Sequence, residues 1–209
     1  LLNEKRPISS IKRMDELGIM KAIHEDIDIN REILELLNEI YKNLSNKNYV
    51  KDIEITEWLV YFLAFTKNLY SEEVKKIGTK LKIKPELIEK LIWESNYCIN
   101  LSTPDKLNPS VICRELSGLS MEFLFYIMSE IKNKIARRRI INYLTRWRHV
   151  KSTISGSDLI EMNYLPGPYF RQAINEVKEK VMDGIIKGRE DGLEYARNFM
   201  ETIGAPKKQ

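Results

Sequence analysis

The chain has 209 residues, 43% hydrophobic and 31% charged, with 34 Lys and Arg against 30 Asp and Glu. That length buries a real core, in one large domain or two small ones, and the composition excludes a disordered tail. No apolar run approaches the roughly 20 residues that span a bilayer, and the start of the chain does not read as a signal peptide. Only Cys98 and Cys113 are present, without metal-type spacing, which reads as a reducing, cytoplasmic setting. The first residue is leucine, as expected of a piece of a longer chain, although processing would give the same start.

Taken in order, the elements read as helical nearly throughout. Ile11–Ile23 is a helix interrupted near Gly18. Ile29–Leu44 carries Ile29, Ile33, Leu36, Leu37 and Ile40 at helical spacing. Thr56-Glu57 starts a helix lined by Trp58, Leu59, Phe62 and Phe65. Ser71-Glu72-Glu73 starts the next, and Pro85 fits the first helical position of a fifth. Asn100–Lys106 is a loop. A short helix from Asn108-Pro109 ends near Gly118, and Ser120 caps a long one reaching His149. Helices over Pro168–Met182 and Arg189–Met200 close the chain. Alternating strand patterns, repeats and low-complexity segments are absent. The predicted fold is all-α, an elongated multi-helix array. The expected division is a helical body over 1–105 and a basic helical tail over 106–209.

The charge is unevenly placed. Residues 131–209 hold sixteen Lys and Arg against nine Asp and Glu, a net +7, whereas the first 130 residues carry −3. Within Lys132–Lys151 eight residues are basic and none is acidic: Lys132, Lys134, Arg137, Arg138, Arg139, Arg146, Arg148 and Lys151. Ala136, Ile140, Tyr143, Leu144 and Trp147 form one narrow apolar stripe. The helix can pack by that stripe and present the cations. Like charges repel unless a partner neutralises them, and phosphate suits arginine forks. A solvated face, or docking on an acidic patch of the same protein, is the competing reading.

The stretch ISGSDLIEMNYLPGPYFR places Pro166-Gly167-Pro168 directly before a helix. The prolines stiffen the corner, and Gly167 is read as taking a backbone angle others resist. Free amides at Gly167 and at the helix start, with Arg171 in the first turn, read as an anion site. A rigid corner that binds nothing fits equally well. The sharper expectation is that Gly167, Tyr169 and Arg171 face phosphate while Leu159, Leu165 and Phe170 hold the corner.

These residues carry a resemblance. Ser155-Gly156-Ser157-Asp158-Leu159, Pro166-Gly167-Pro168, Met182-Asp183-Gly184 and Gly188-Arg189-Glu190-Asp191 resemble, in order, the C-terminal tail of bacterial tRNA nucleotidyltransferases of the poly(A) polymerase superfamily. Ile8–Ile23 is similar to the element that opens the family's body region. The middle of the chain matches only in helical character. The family's G-G-x-x-R-D loop, which together with a D-x-D pair makes its catalytic head, does not occur. The neck pattern that selects the nucleotide is not visible either.

The resemblance therefore implies a body and tail that hold the acceptor and T-arm side of tRNA for a head and neck absent from this chain. The head would use Mg2+ and ATP or CTP, and this chain needs no cofactor of its own. The added nucleotides (CCA, CC or A) are left open, as is whether this chain is an enzyme by itself, because it carries no catalytic motif. The RNA-binding candidates are Lys134, Arg137, Arg138, Arg139, Arg146, Arg148, Lys151, Gly167, Tyr169 and Arg171. A DNA-binding helical module and a protein-interaction scaffold are the alternatives. His24 and His149 meet no metal pattern and read as helix-end and basic-face residues. Cys98 and Cys113 read as small core residues, and Trp58, Trp93 and Trp147 as core anchors.

Overall fold

The computed structural model describes residues 7–97, 101 and 107–208. Among them are α1 (Pro7–Glu16), α2 (Ile19–Ile23), α3 (Arg31–Leu44), α4 (Lys47–Val50), α5 (Glu57–Thr66), α6 (Ser71–Lys80) and α7 (Pro85–Asn96). There follow α8 (Pro109–Ser117), α9 (Met121–Glu130), α10 (Lys134–Thr145), a 3-10 turn (Trp147–His149), α11 (Gly156–Glu161), α12 (Pro168–Met182) and α13 (Arg189–Thr202). The described residues hold no strand, only an isolated bridge between Tyr164 and Lys207. The all-α class is as read. The loop at 100–106 and Cys98 lie largely or wholly outside the described residues.

The chain forms two compact units, Leu1–Thr103 with Gly118–Ile141, and Pro104–Ser117 with Asn142–Gln209. This partition differs from a single cut at 105, because Gly118–Ile141 packs with the N-terminal helices.

In the first unit α3, α5 and α9 pack on one another, with α7 against α9 and α6 against α7. Gly18 separates α1 from α2 in a left-handed conformation, φ +70, which glycine adopts without a Cβ clash. α5 buries every residue from Leu59 to Thr66, so its apolar residues occupy all sides rather than one. Each large side chain so buried stabilises by about 1.5–3 kcal/mol. Two buried polar links tie the helices together. Asn43 of α3 donates to the Ser129 hydroxyl of α9 at 2.9 Å. Glu94 of α7, fully buried, accepts both the amide and the hydroxyl of Ser120, each at 2.6 Å. Ser120 in turn accepts the Phe123 amide at 3.2 Å. The cap read from Ser120 is thus itself anchored by a carboxylate that the sequence did not single out.

The expected long helix from Ser120 to His149 is broken. α9 ends at Glu130, and Ile131 is extended. Asn133 then accepts the amides of Ile135 and Ala136 at 2.9 and 3.1 Å, so it caps a new helix. Asparagine competes well for such free amides, and that was the missed signal. A second interruption separates α10 from the 3-10 turn.

The second unit is built on Ile154, Leu159, Tyr164, Ala173, Val177, Ile186, Ala196 and Met200. α12 packs on α13, α8 and α11. Asp183, just past α12, caps α8 by accepting the Ser110 amide at 2.9 Å and hydroxyl at 2.7 Å.

Candidate nucleic-acid interface

The predicted apolar stripe of α10 is buried at Ala136, Ile140, Tyr143 and Leu144. The cations around it divide by unit and by environment. In the first unit Lys134 and Arg138 are exposed. Arg137 is half-buried and reaches Glu39 and Asn43 of α3, each at 3.4 Å. For that one residue, docking on an acidic patch of the same chain is what the structure shows. Arg139 is only 8% exposed and donates to the Leu101 carbonyl at 2.7 Å. It lies next to Ile140 on the packed side of the helix, so it is removed from the phosphate-facing set.

In the second unit Arg146 and Lys151 are exposed. Arg148 is half-buried and donates from Nε to the Leu144 carbonyl at 3.0 Å and to His149 at 3.1 Å. It closes the end of α10 while its charge stays near the surface. His149 is exposed beside it.

The turn before α12 keeps its expected role as a rigid corner but not its expected mechanism. Gly167 is extended, φ −173, a conformation any residue adopts. What glycine provides there is space: a Cβ would lie 2.5 Å from the Tyr169 ring, which would have to move. Tyr169 is half-buried, and its hydroxyl donates to the Leu165 carbonyl. It therefore clamps the turn, which corrects its assignment as a phosphate-facing group. Leu165 is 41% exposed and does not pack the corner. Side chains alternate along an extended segment, and Tyr164, 1% exposed, takes the inward position instead. Leu159 is fully buried and Phe170 packs against the core, as read. The Phe170 amide donates to the Gly167 carbonyl at 3.0 Å, so it is not a free donor. Arg171 is exposed in the first turn of α12.

Two of the family-like motif pieces meet in space. Asp158, 4% exposed, accepts the Ser155 amide at 2.6 Å and hydroxyl at 2.8 Å. It also receives Arg189, at the start of α13. The two Ser155 bonds, and then the guanidinium, hold the Asp158 carboxyl below the usual aspartate range. Asp191 meanwhile accepts the Lys187 amide at 3.1 Å.

Elsewhere, Trp93 is 55% exposed, with its ring centre 5.2 Å from that of Tyr97. α7 buries Ile88, Leu91 and Glu94, and Trp93 falls off that face, which corrects its reading as a core anchor. Trp58 and Trp147 are half-buried. Cys113 is a buried free thiol, pushed up to about 11 by burial. His24 follows the end of α2, and with Asp26 and Glu73 it brings three ligand-type atoms within 4.8 Å of one another. Glu73 already accepts the Tyr70 amide at 2.9 Å, and His24 Nδ1 accepts the Asp26 amide at 3.3 Å. No described helix is long and apolar enough to cross a membrane.

No family model matches the chain. In sequence it is 29% identical over 212 residues to an A-adding tRNA nucleotidyltransferase of Geobacter sulfurreducens, which covers 97% of this chain and 24% of that protein. In fold it is similar to a Thermotoga maritima CCA-adding enzyme complexed with tRNA, with a TM-score of 0.72 and 18% identity over 95% of this chain and 49% of that chain. It is also similar to a CCA-adding enzyme in complex with ATP, with a TM-score of 0.71 and 18% identity over 100% of this chain and 49% of the other. The chain thus spans about a quarter of its sequence relative and about half of the solved chains. The resemblance carried by motifs near the two ends extends through the helical middle.

Proposed function

We propose that this chain is the tRNA-holding body and tail of a tRNA nucleotidyltransferase that adds nucleotides to the tRNA 3′ end. It grips the acceptor and T-arm side, and a catalytic head and neck carried outside this chain do the chemistry. The observation that carries this reading is the near end-to-end alignment with an A-adding tRNA nucleotidyltransferase. CCA-adding enzymes similar in fold are complexed with tRNA, ATP or CTP, which supports a tRNA substrate and nucleotide co-substrates for the parent. The head would bring Mg2+ and select CCA, CC or A.

The surface suits the task. A-form RNA is held by its shape, phosphates and 2′-hydroxyls rather than by base edges. Such holding needs cations on rigid elements and no catalytic pocket. Lys134 and Arg138 supply them in the first unit, and Arg146, Lys151 and Arg171 in the second, all exposed. Arg137 and Arg148 are partly engaged within the chain. Gly167 belongs to the site through the close turn it permits.

The test is binding of the isolated chain to folded tRNA, by fluorescence anisotropy, beside duplex DNA and single strands. The reading expects preference for folded tRNA and no nucleotide addition by the chain alone. Tighter binding to duplex DNA would favour a DNA-binding module. Absence of nucleic-acid binding would favour a protein-interaction scaffold.

A further inference from the structure

The end of the chain returns to the turn before α12. The Leu165 amide donates to the Pro206 carbonyl at 2.9 Å, and the Lys208 amide donates to the Asn163 carbonyl at 2.6 Å. Between these bonds Tyr164 and Lys207 form an antiparallel bridge. The Lys207 ammonium lies 5.2 Å from the centre of the buried Tyr164 ring and 3.2 Å from the Glu201 carboxylate. Asn163 itself is left-handed, φ 64, a conformation that asparagine tolerates better than most residues. On the other side of the same short segment, the Leu165 carbonyl accepts the Tyr169 hydroxyl. Leu165 is thus held at its amide by the chain end and at its carbonyl by the residue that covers Gly167.

This arrangement adds little to stability. Pro206, Lys207 and Lys208 are all exposed, so the segment buries little apolar surface. Its two backbone hydrogen bonds bring only a modest net gain, because each replaces a bond to water. What the segment delivers is register and charge. It fixes the entry to the turn, and it carries an exposed lysine to that entry, while Arg171 is exposed on the helix that leaves it.

We propose that Pro206–Lys208 is a strap belonging to the RNA-binding surface: it sets the path of Asn163–Gly167 and places Lys208 as a phosphate-binding cation beside the turn. The inference rests on the tRNA reading above. A lysine suits this position because an ammonium binds phosphate as a point charge and carries no base information.

Two variants test it, a chain truncated after Gly204 and an intact chain with Lys208→Glu. Without RNA, the truncation should speed amide exchange over residues 163–169 by about tenfold or more and leave α13 protected. With tRNA, Lys208→Glu should weaken binding about 3- to 10-fold and lower the salt slope by about one. A lysine with a merely structural role would leave that slope unchanged. Unchanged exchange at Leu165 in the truncated chain overturns the strap, as does wild-type affinity and slope in Lys208→Glu. If the truncated chain does not fold, Lys208→Glu decides alone. A wild-type chain that fails to bind tRNA overturns the tRNA reading itself, an outcome distinct from a binding chain that is indifferent to Lys208.

Discussion

Across 31 positions of sequence, the Arg189 guanidinium at the start of α13 donates to the buried Asp158 carboxylate in the first turn of α11. The two partners are unequal. Asp158 is buried and accepts two further bonds from Ser155, whereas the Arg189 side chain is 59% exposed. Asp158→Ala should therefore cost about 2 kcal/mol, from a lost cap and an orphaned Ser155 amide. Arg189→Ala should cost less than about 1 kcal/mol, because exposed partners are screened by water. Chemical denaturation of the two variants checks the order.

The same carboxylate sets an acid limit. Its folded value lies below the ordinary aspartate value of 3.8. A lowered carboxylate contributes stability that is fully present above its unfolded value and is lost as pH falls through the folded one. Thermal unfolding of the wild type should therefore weaken below about pH 4. Asp158→Asn should flatten that part of the profile. An identical acid dependence in the variant would assign the loss to other carboxylates.

Neighbouring arginines on α10 should behave in opposite ways. Arg138→Glu should weaken tRNA binding several-fold and leave the melting temperature nearly unchanged, since Arg138 is exposed. Arg139→Ala should lower stability by about 2 kcal/mol through loss of its buried bond to the Leu101 carbonyl. Comparing melting curves with binding isotherms separates the two. Both belong to the basic set read from the sequence, which shows the charge but not that the Leu101 carbonyl lies within reach of one of them.

At the turn, Gly167→Ala should displace the Tyr169 ring and destabilise by about 1–2 kcal/mol. With Tyr169→Ala already present, the same change should cost much less. A double-mutant cycle measures that coupling, and strict additivity would remove the close-approach account of Gly167.

Much of the architecture was legible. Gly18, Pro85, Ser120 and Pro168 each carry a local backbone reason for a boundary, and each boundary stands where that reason puts it. What escaped the sequence depends on residues distant in the chain. Glu94 reads as an ordinary helical acid until it is buried against Ser120. Leu165 reads as core until Tyr164 takes the inward place. Arg137 reads as a phosphate ligand until Glu39 of α3 lies beside it. The Pro-Gly-Pro corner was recognisable, but the reason for its glycine is a ring two residues later, which local propensity does not encode.

The most direct measurement is the salt dependence of tRNA binding by the chain. If about six phosphates are neutralised, the slope of log affinity against log salt should be roughly −4 to −5, with folded tRNA preferred over single strands. A flat response, or equal binding to single strands, would contradict a surface built to hold the tRNA backbone.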